Sequence, residues 1–377
     1  MKRTLSLLLS IAMMVSMITI PTMAAEPETT VAPAAAFTDT ANHWGEKAIE
    51  RWTEYGIIKV DGTGKFNPDG NLTRGALATI LTNLLGLTEK SANIYSDVPA
   101  TAWYADAVLK CTAAGIMKGD GVRANPEANI SRQEAMVMLG RALGIQPAKV
   151  ADLSAFTDAD QVAPWAAGYV TSMTKENIVG GIGGGLVAPL GNMNRASAVT
   201  ILDRAISDYI ATAGTYDKVV GTGIVLVSAP AVILKGNKIA GSLLVAAGVG
   251  DGEFTLDNTV VAGNTTIRGG GVNSFVVRGG SKLGDVTIAR LDGAVRIVTS
   301  DGSTIDRIYI DDGRDDVIME GSFGNVSIAG EVPVTLKGAD VKVVIATGKN
   351  ADITVDKDSK VVTVATAQEN TKITVAG

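Results

Sequence analysis

In 377 residues the chain has one cysteine, Cys111, and one histidine, His43. A single thiol excludes any intrachain disulfide. A single imidazole excludes a histidine-rich metal site and leaves little support for a Ser-His-Asp arrangement. Charge is sparse too: 19% of residues are charged and the formal net charge is −6. That balance lacks the basic footprint of a nucleic-acid binder. Aromatic residues make up 5% of the chain, and all four tryptophans fall in its first half. The second half therefore has few platforms on which a sugar could be held. Only one stretch is long and apolar: Leu5 to Ile20, behind Lys2 and Arg3 and ahead of Thr22-Met23-Ala24-Ala25. It reads as a secretory signal peptide over 1–25, with an uncleaved membrane anchor as the rival. The mature chain is expected to be exported, with no membrane association after cleavage. An exported chain without disulfides needs sizeable cores, and this length can supply them. Cys111, in a helical context, is expected to be a partly buried small side chain.

What is present is repetition. Behind a linker at 26–36, rich in Ala, Pro, Thr and Glu, three units follow at a spacing of roughly sixty residues. They open Phe37-Thr38-Asp39, Tyr95-Ser96-Asp97 and Phe156-Thr157-Asp158, and each has a tryptophan next: Trp44, Trp103 and Trp165. An amphipathic helix comes after it, then a turn at Gly56-Ile57, Gly115-Ile116 or Asn177-Ile178, then a glycine-rich loop with a proline. Each unit closes on a second helix headed by an arginine: Thr73-Arg74, Ser131-Arg132 and Asn194-Arg195. Thr73, Ser131 and Asn194 are expected to cap these helices. The arginine at the helix mouth opposes the macrodipole, and its planar fork suits a carboxylate or phosphate. One two-helix unit has too little core to stand alone, so three are expected to pack as a pseudo-threefold bundle.

These units resemble S-layer homology (SLH) domains. The resemblance rests on the aromatic-x-Asp opening, the tryptophan, the Gly-Ile turn, the loop ending in proline and the arginine-headed helix, in the same order three times. It implies a three-pronged spindle that anchors exported proteins to an anionic secondary cell-wall polysaccharide, one often carrying pyruvylated sugar, or to peptidoglycan. It also implies that Arg74, Arg132 and Arg195 face intersubdomain grooves and contact the sugar, whereas a solvated surface cation is the plain alternative. For Trp44, Trp103 and Trp165 core packing is the first expectation and sugar stacking the second. The sequence departs from the family pattern after the arginine, where a glutamate survives only as Glu134, with Leu77 and Ser197 at or near the other two places. The third loop, Gly180 to Pro189, has lost its acidic residue, which puts the third groove in most doubt.

Beyond a bridge at 207–218 the helical period gives way to short β-branched runs such as Thr265-Thr266-Ile267, Val286-Thr287-Ile288 and Ile308-Tyr309-Ile310. A second series, including Phe275-Val276-Val277 and Val295-Arg296-Ile297, falls between them. Two or more short strands per period of roughly twenty residues describe a parallel β-solenoid, with a β-sandwich as the competitor. The expected architecture is thus multidomain, an all-α three-repeat bundle (37–94, 95–155 and 156–210) followed by an all-β solenoid at 219–377. A rigid solenoid presented from a wall anchor implies a structural or interaction role. The rival is a wall-tethered lyase or hydrolase acting at Asp311-Asp312-Gly313-Arg314-Asp315-Asp316, where clustered carboxylates could bind Ca²⁺ or cleave a glycosidic bond. A glycine-centred acidic turn is also ordinary loop chemistry, so no catalytic residue, metal or cofactor is assigned. The last run, Lys372-Ile373-Thr374-Val375-Ala376-Gly377, would leave a strand edge that either a loop folds over or another chain pairs with.

Overall fold

A computed structural model describes residues 37–59, 63–272, 275–291, 293–310, 316–366 and 371–375. The leader and linker expected at 1–36, and residues 311–315 of the acidic turn, lie outside them.

Six helices build the first part: α1 (Glu46–Glu54), α2 (Arg74–Leu85), α3 (Ala105–Ala113), α4 (Arg132–Ala142), α5 (Pro164–Lys175) and α6 (Arg195–Ala205). The first helix of each repeat stops where the chain turns left-handed, at Gly56, Gly115 and Asn177. The isoleucine after each turn, Ile57, Ile116 or Ile178, is buried beneath the helix it ends. The second helices carry the expected caps: Thr73 accepts from Ala76 N, Ser131 from Glu134 N and Asn194 from Ser197 N.

The three repeats close on one another around a ring of backbone hydrogen bonds. Leu72 N donates to Met193 O at 2.8 Å, Met193 N to Ile130 O at 2.9 Å, and Ile130 N to Leu72 O at 2.9 Å. All three side chains are fully buried. This is the pseudo-threefold arrangement expected of the repeats, and each of them contributes one strand-like bridge to it.

The aromatic-x-Asp openings have a structural job. Each aspartate receives two backbone N–H groups from the loop of its own repeat: Asp39 from Phe66 and Asn67, Asp97 from Ala124 and Asn125, Asp158 from Val187 and Ala188. For Asp39 the hydrogen bond from Phe66 N is the largest cause of a pKa below the usual carboxylate value, with Asn67 N adding to it. The residue that donates the second N–H is in the left-handed region each time, Asn67 (φ 55°), Asn125 (φ 51°) and Ala188 (φ 50°). Asparagine tolerates that region, whereas alanine does not.

From Ile206 the chain winds as a solenoid in which every named strand pairing is parallel. Parallel winding excludes the sandwich. One face stacks Ile224–Val227, Leu243–Val245 and Thr265–Ile267, and a second stacks Val232–Lys235, Phe254–Asp257 and Phe275–Arg278. A short third face holds Lys238–Ile239 and Val260–Val261. Farther along, single strands such as Val317–Ile328 and Pro333–Ala346 run round all three faces. Side chains alternate as the pleat requires; Val286 and Ile288 are buried while Thr287 between them is half-exposed. At one corner a buried polar ladder joins the coils: Asn237 N donates to Thr259 Oγ1, Thr259 N to Ser281 Oγ and Ser281 N to Ser303 Oγ. Without these hydroxyls the N–H groups of Asn237 and Thr259 would be buried unpaired, while Ser281 N also donates to Arg278 O.

The stretch expected to bridge the two regimes is already solenoid. Ile206–Ile210 follows α6 directly and pairs with Ile224–Val227, and Gly214–Tyr216 pairs with Val232–Lys235. Two strands near this start are buried on both faces. Ile224, Leu226, Leu244 and Ala246 join the helical core, while Val225, Val227, Leu243 and Val245 fill the solenoid's own. Tyr209 packs edge to face on Trp52 and Tyr55 across the junction, and Arg51 pairs with Asp203 at 2.9 Å while donating to Ile206 O and Ser207 O.

The strain at Ala188 yields a prediction. Ala188→Asn should stabilise the chain by about 0.5–1 kcal/mol, the usual relief for a non-glycine residue freed from an unsuitable left-handed position. The measurement is the chemical-unfolding midpoint of the two chains, and an unchanged or lower midpoint would refute the account.

Candidate functional site

The three arginines lie at the joints between repeats, each reaching into the loop of another repeat. Arg74 of the first repeat donates from Nε to Ala124 O (2.9 Å) and from Nη2 to Lys118 O (3.0 Å), both in the second. Arg132 of the second donates from Nε to Val187 O (3.0 Å) and from Nη2 to Gly180 O (3.4 Å), both in the third. Arg195 of the third donates from Nε to Phe66 O (2.7 Å) of the first and stacks on the Phe66 ring at 4.6 Å. The helix mouths follow the same cycle. The first two N–H groups of α2 donate to Ala128 O and Pro126 O, those of α4 to Gly191 O and Pro189 O, and those of α6 to Gly70 O and Pro68 O. Neighbouring carbonyls thus satisfy amides that a helix start leaves unpaired, and offset the adverse dipole beside each arginine.

Arg74 and Arg132 are only 9% and 8% exposed, so they are not solvated surface cations. Arg195 is half-buried.

The tryptophans correct the first expectation. Trp44, Trp103 and Trp165 stand 60%, 66% and 54% exposed, and the tryptophan that fills the core is Trp52. They sit at or just before the start of the first helix of each repeat, on the outward side, where helical periodicity no longer dictates burial. Each lies beside an arginine helix of another repeat. Gly75, after Arg74, approaches Tyr104 so closely that an added Cβ would come within 2.9 Å of the tyrosine Cβ. Gln133, after Arg132, accepts from Ala163 N at 2.9 Å. The place of a Cβ on Gly45 is 3.2 Å from Ala196 Cβ, after Arg195. So Trp103 neighbours the Arg74 joint, Trp165 the Arg132 joint and Trp44 the Arg195 joint.

The joints differ in charge. At the first, Arg74 Nη1 meets Glu134 Oε1 at 2.8 Å, and the other oxygen of Glu134 closes a capping box with Ser131. The third residue of each capped helix is thus the partner position, and it is Glu134 in α4, Ser197 in α6 and Ala76, rather than Leu77, in α2. Arg132 therefore meets a serine position where Arg74 meets a carboxylate, and among the described residues it has no ion-pair partner. Burial pushes its pKa down, with Asp158 opposing. The glycine-rich loop that has lost its acid serves this same arginine. The sequence pattern had assigned that loss to the third groove, because it does not reveal that a loop serves the arginine of the preceding repeat.

Elsewhere the candidate chemistry is thin. His43 donates from Nε2 to Asp69 Oδ1 at 3.3 Å and accepts from Gly45 N through Nδ1. Cys111 is fully buried in α3, and burial pushes its thiol up to about 12. Among the described residues no group of three histidine, cysteine or carboxylate side chains could hold a metal. Of the acidic turn, only Asp316 is described, its carbonyl accepting from Val295 N.

A family model described as the S-layer homology domain matches residues 36–78, 94–136 and 155–199. The chain carries three SLH domains. Curated relatives agree: the surface-layer 125 kDa protein of Lysinibacillus sphaericus is 32% identical over 154 residues, 40% of this chain and 13% of its own. The surface layer protein of Brevibacillus choshinensis is 33% identical over 138 residues, 34% of this chain and 12% of its own. An amylopullulanase of Thermoanaerobacterium thermosulfurigenes is 29% identical over 170 residues, 44% of this chain and 9% of its own. The chain thus spans only about a tenth of the length of these relatives. Its SLH domains, together with surface-layer and cell-wall relatives, make it a bacterial cell-surface protein, anchored through those domains.

Glu134 is the residue that distinguishes the first SLH joint from the other two. Glu134→Ser removes an ion pair with a buried arginine and half of a capping box, and should cost about 1–3 kcal/mol. Urea unfolding of the variant measures it; a loss below about 0.5 kcal/mol would show that the pair contributes nothing.

Proposed function

We propose that the SLH domains hold the protein on an anionic secondary cell-wall polysaccharide, and that the joint between the second and third domains is the principal contact. The observation that carries this reading is the contrast between Arg74 and Arg132. The same guanidinium is ion-paired with Glu134 in one joint, whereas among the described residues it has no ion-pair partner in the next and feels only the more distant charge of Asp158. A buried guanidinium without an anion is costly, and a carboxylate on the polymer would supply what Ser197 does not. Trp165 stands exposed beside this joint and offers the ring face on which a sugar can stack. Arg74 with Trp103, and Arg195 with Trp44, form the flanking contacts. No cofactor enters this function, and the solenoid serves as a stiff structural projection.

Sedimentation of the intact chain with purified cell-wall sacculi, before and after their secondary polymer is stripped, tests the reading. Binding should vanish on stripping. Arg132→Gln and Trp165→Ala should each weaken it at least tenfold, and Arg74→Gln less, with unfolding midpoints recorded to show that every variant is folded. Binding that survives stripping would move the ligand to peptidoglycan, and equal binding by Arg132→Gln would remove the arginine from the site.

Self-association forms the second part of the proposal. The edge strand Lys372–Val375 pairs with Asp352–Val355 and exposes Ile373 and Val375 by 41% and 68%. Unpaired strand edges invite another chain, and charges there discourage it. Ile373→Lys with Val375→Lys should lower the weight-average mass in sedimentation velocity at high concentration; an unchanged mass would sink the contact.

A further inference from the structure

Each arginine helix opens onto a three-residue rim supplied by another repeat. The rim is Pro126-Glu127-Ala128 for Arg74, Pro189-Leu190-Gly191 for Arg132 and Pro68-Asp69-Gly70 for Arg195. Its first and third residues give their carbonyls to the first two N–H groups of the helix, which fixes the middle residue at the same place in all three joints. That place borders the arginine: a Cβ on Gly191 would lie 4.0 Å from Arg132 Cδ. All three middle side chains are exposed.

Two of them are acids, and both are tied to the tryptophan of their joint. Asp69 accepts from His43 Nε2, and the His43 ring lies 5.0 Å from that of Trp44. Glu127 is hydrogen-bonded with Tyr104, whose ring lies 5.4 Å from that of Trp103. The third is Leu190, an uncharged side chain 61% exposed. Counted with the third residue of the facing capped helix, the joints form a graded series. At these two positions the Arg74 joint holds two carboxylates, Glu134 and Glu127. The Arg195 joint holds one, Asp69, opposite Ala76, and the Arg132 joint holds none, only Ser197 and Leu190. Asp97, Asp39 and Asp158, which hold the loops, are common to the three and do not distinguish them.

Arg132 also has a nitrogen to give. Arg74 has all three bonded, to Ala124 O, Glu134 and Lys118 O. In Arg132, Nε and Nη2 are on Val187 O and Gly180 O, and Nη1 is not among the side-chain nitrogens sealed from solvent without a partner.

We infer that the middle rim residue selects which joint accepts the anion of the polymer. Leu190 opens the Arg132 joint to it, whereas Glu127 and Asp69 turn it away from the other two and leave them to uncharged parts of the saccharide. This assignment rests on the wall-binding reading above and names its specificity-determining residue. A fixed carboxylate beside the arginine acts twice, by offsetting the field of the cation and by repelling the incoming anion. A leucine does neither, and beside Trp165 it leaves an uncharged wall on which a sugar face can lie.

The test is sedimentation of the intact chain with sacculi that carry the secondary polymer. Leu190→Glu should weaken binding about fivefold and Leu190→Gln, alike in size but uncharged, less than about twofold, with the difference narrowing at high salt. Asp69→Leu should tighten binding about threefold, and Arg195→Gln in the same chain should cancel that gain. Both positions are exposed, and unfolding midpoints check that the variants fold. Wild-type binding by Leu190→Glu, an equal loss from Leu190→Gln, or no gain from Asp69→Leu would each overturn the assignment. Arg132→Gln separates the two levels. If it weakens binding while Leu190→Glu does not, the rim assignment fails alone. If neither Arg132→Gln nor stripping of the polymer alters binding, the wall-binding reading falls and the rim assignment with it.

Discussion

Everything in the helical half depends on closure of three repeats by three backbone hydrogen bonds, Leu72 to Met193, Met193 to Ile130 and Ile130 to Leu72. Those bonds set each repeat at a fixed angle to the others. Given that angle, the mouth of each arginine helix faces loop carbonyls of another repeat, and the arginine has somewhere to go. The axis is built from backbone, so it tolerates Leu, Ile or Met in its three positions provided each is apolar and fits. Its cyclic logic also explains an arginine at the start of a helix, where a cation is electrostatically unwelcome. The carbonyls of a neighbouring loop supply the negative ends that the dipole lacks.

Pseudo-symmetry leaves room for unequal joints. Backbone contacts repeat at every joint because they require only loop geometry, whereas side-chain contacts vary with one residue, the third of each capped helix. Glutamate there binds Arg74 and closes a cap at once; serine and alanine do neither. A repeat protein can therefore hold its architecture constant while changing the charge of each joint by a single substitution. The SLH domains here show three settings of one device.

Much of this was legible in the sequence. Caps, Gly-Ile turns and the period of the repeats located the helices, because each has a local cause. The solenoid followed from β-branched runs at a short period, and its inward and outward residues from simple alternation. What stayed hidden was set by tertiary contact. The exposed tryptophans resemble core residues in composition, and only their place at the outer helix starts reveals otherwise. Arginine partners are main-chain carbonyls, which leave no mark in a sequence. Ile224-Val225-Leu226-Val227 and Leu243-Leu244-Val245 did carry a sign: unbroken apolar runs mean burial on both faces. They mark where the solenoid lies against the helices, and the start of the solenoid could have been placed earlier from them.

Because Ile206 continues α6 without a linker and the adjoining coils share the helical core, the junction has no hinge. A pull on the solenoid enters the bundle at the last helix of the third repeat. That helix is bonded through its mouth to the first repeat, and Arg51 of the first repeat grips Asp203 and the chain just beyond it. Tension therefore spreads round the ring and does not peel the repeats off in sequence.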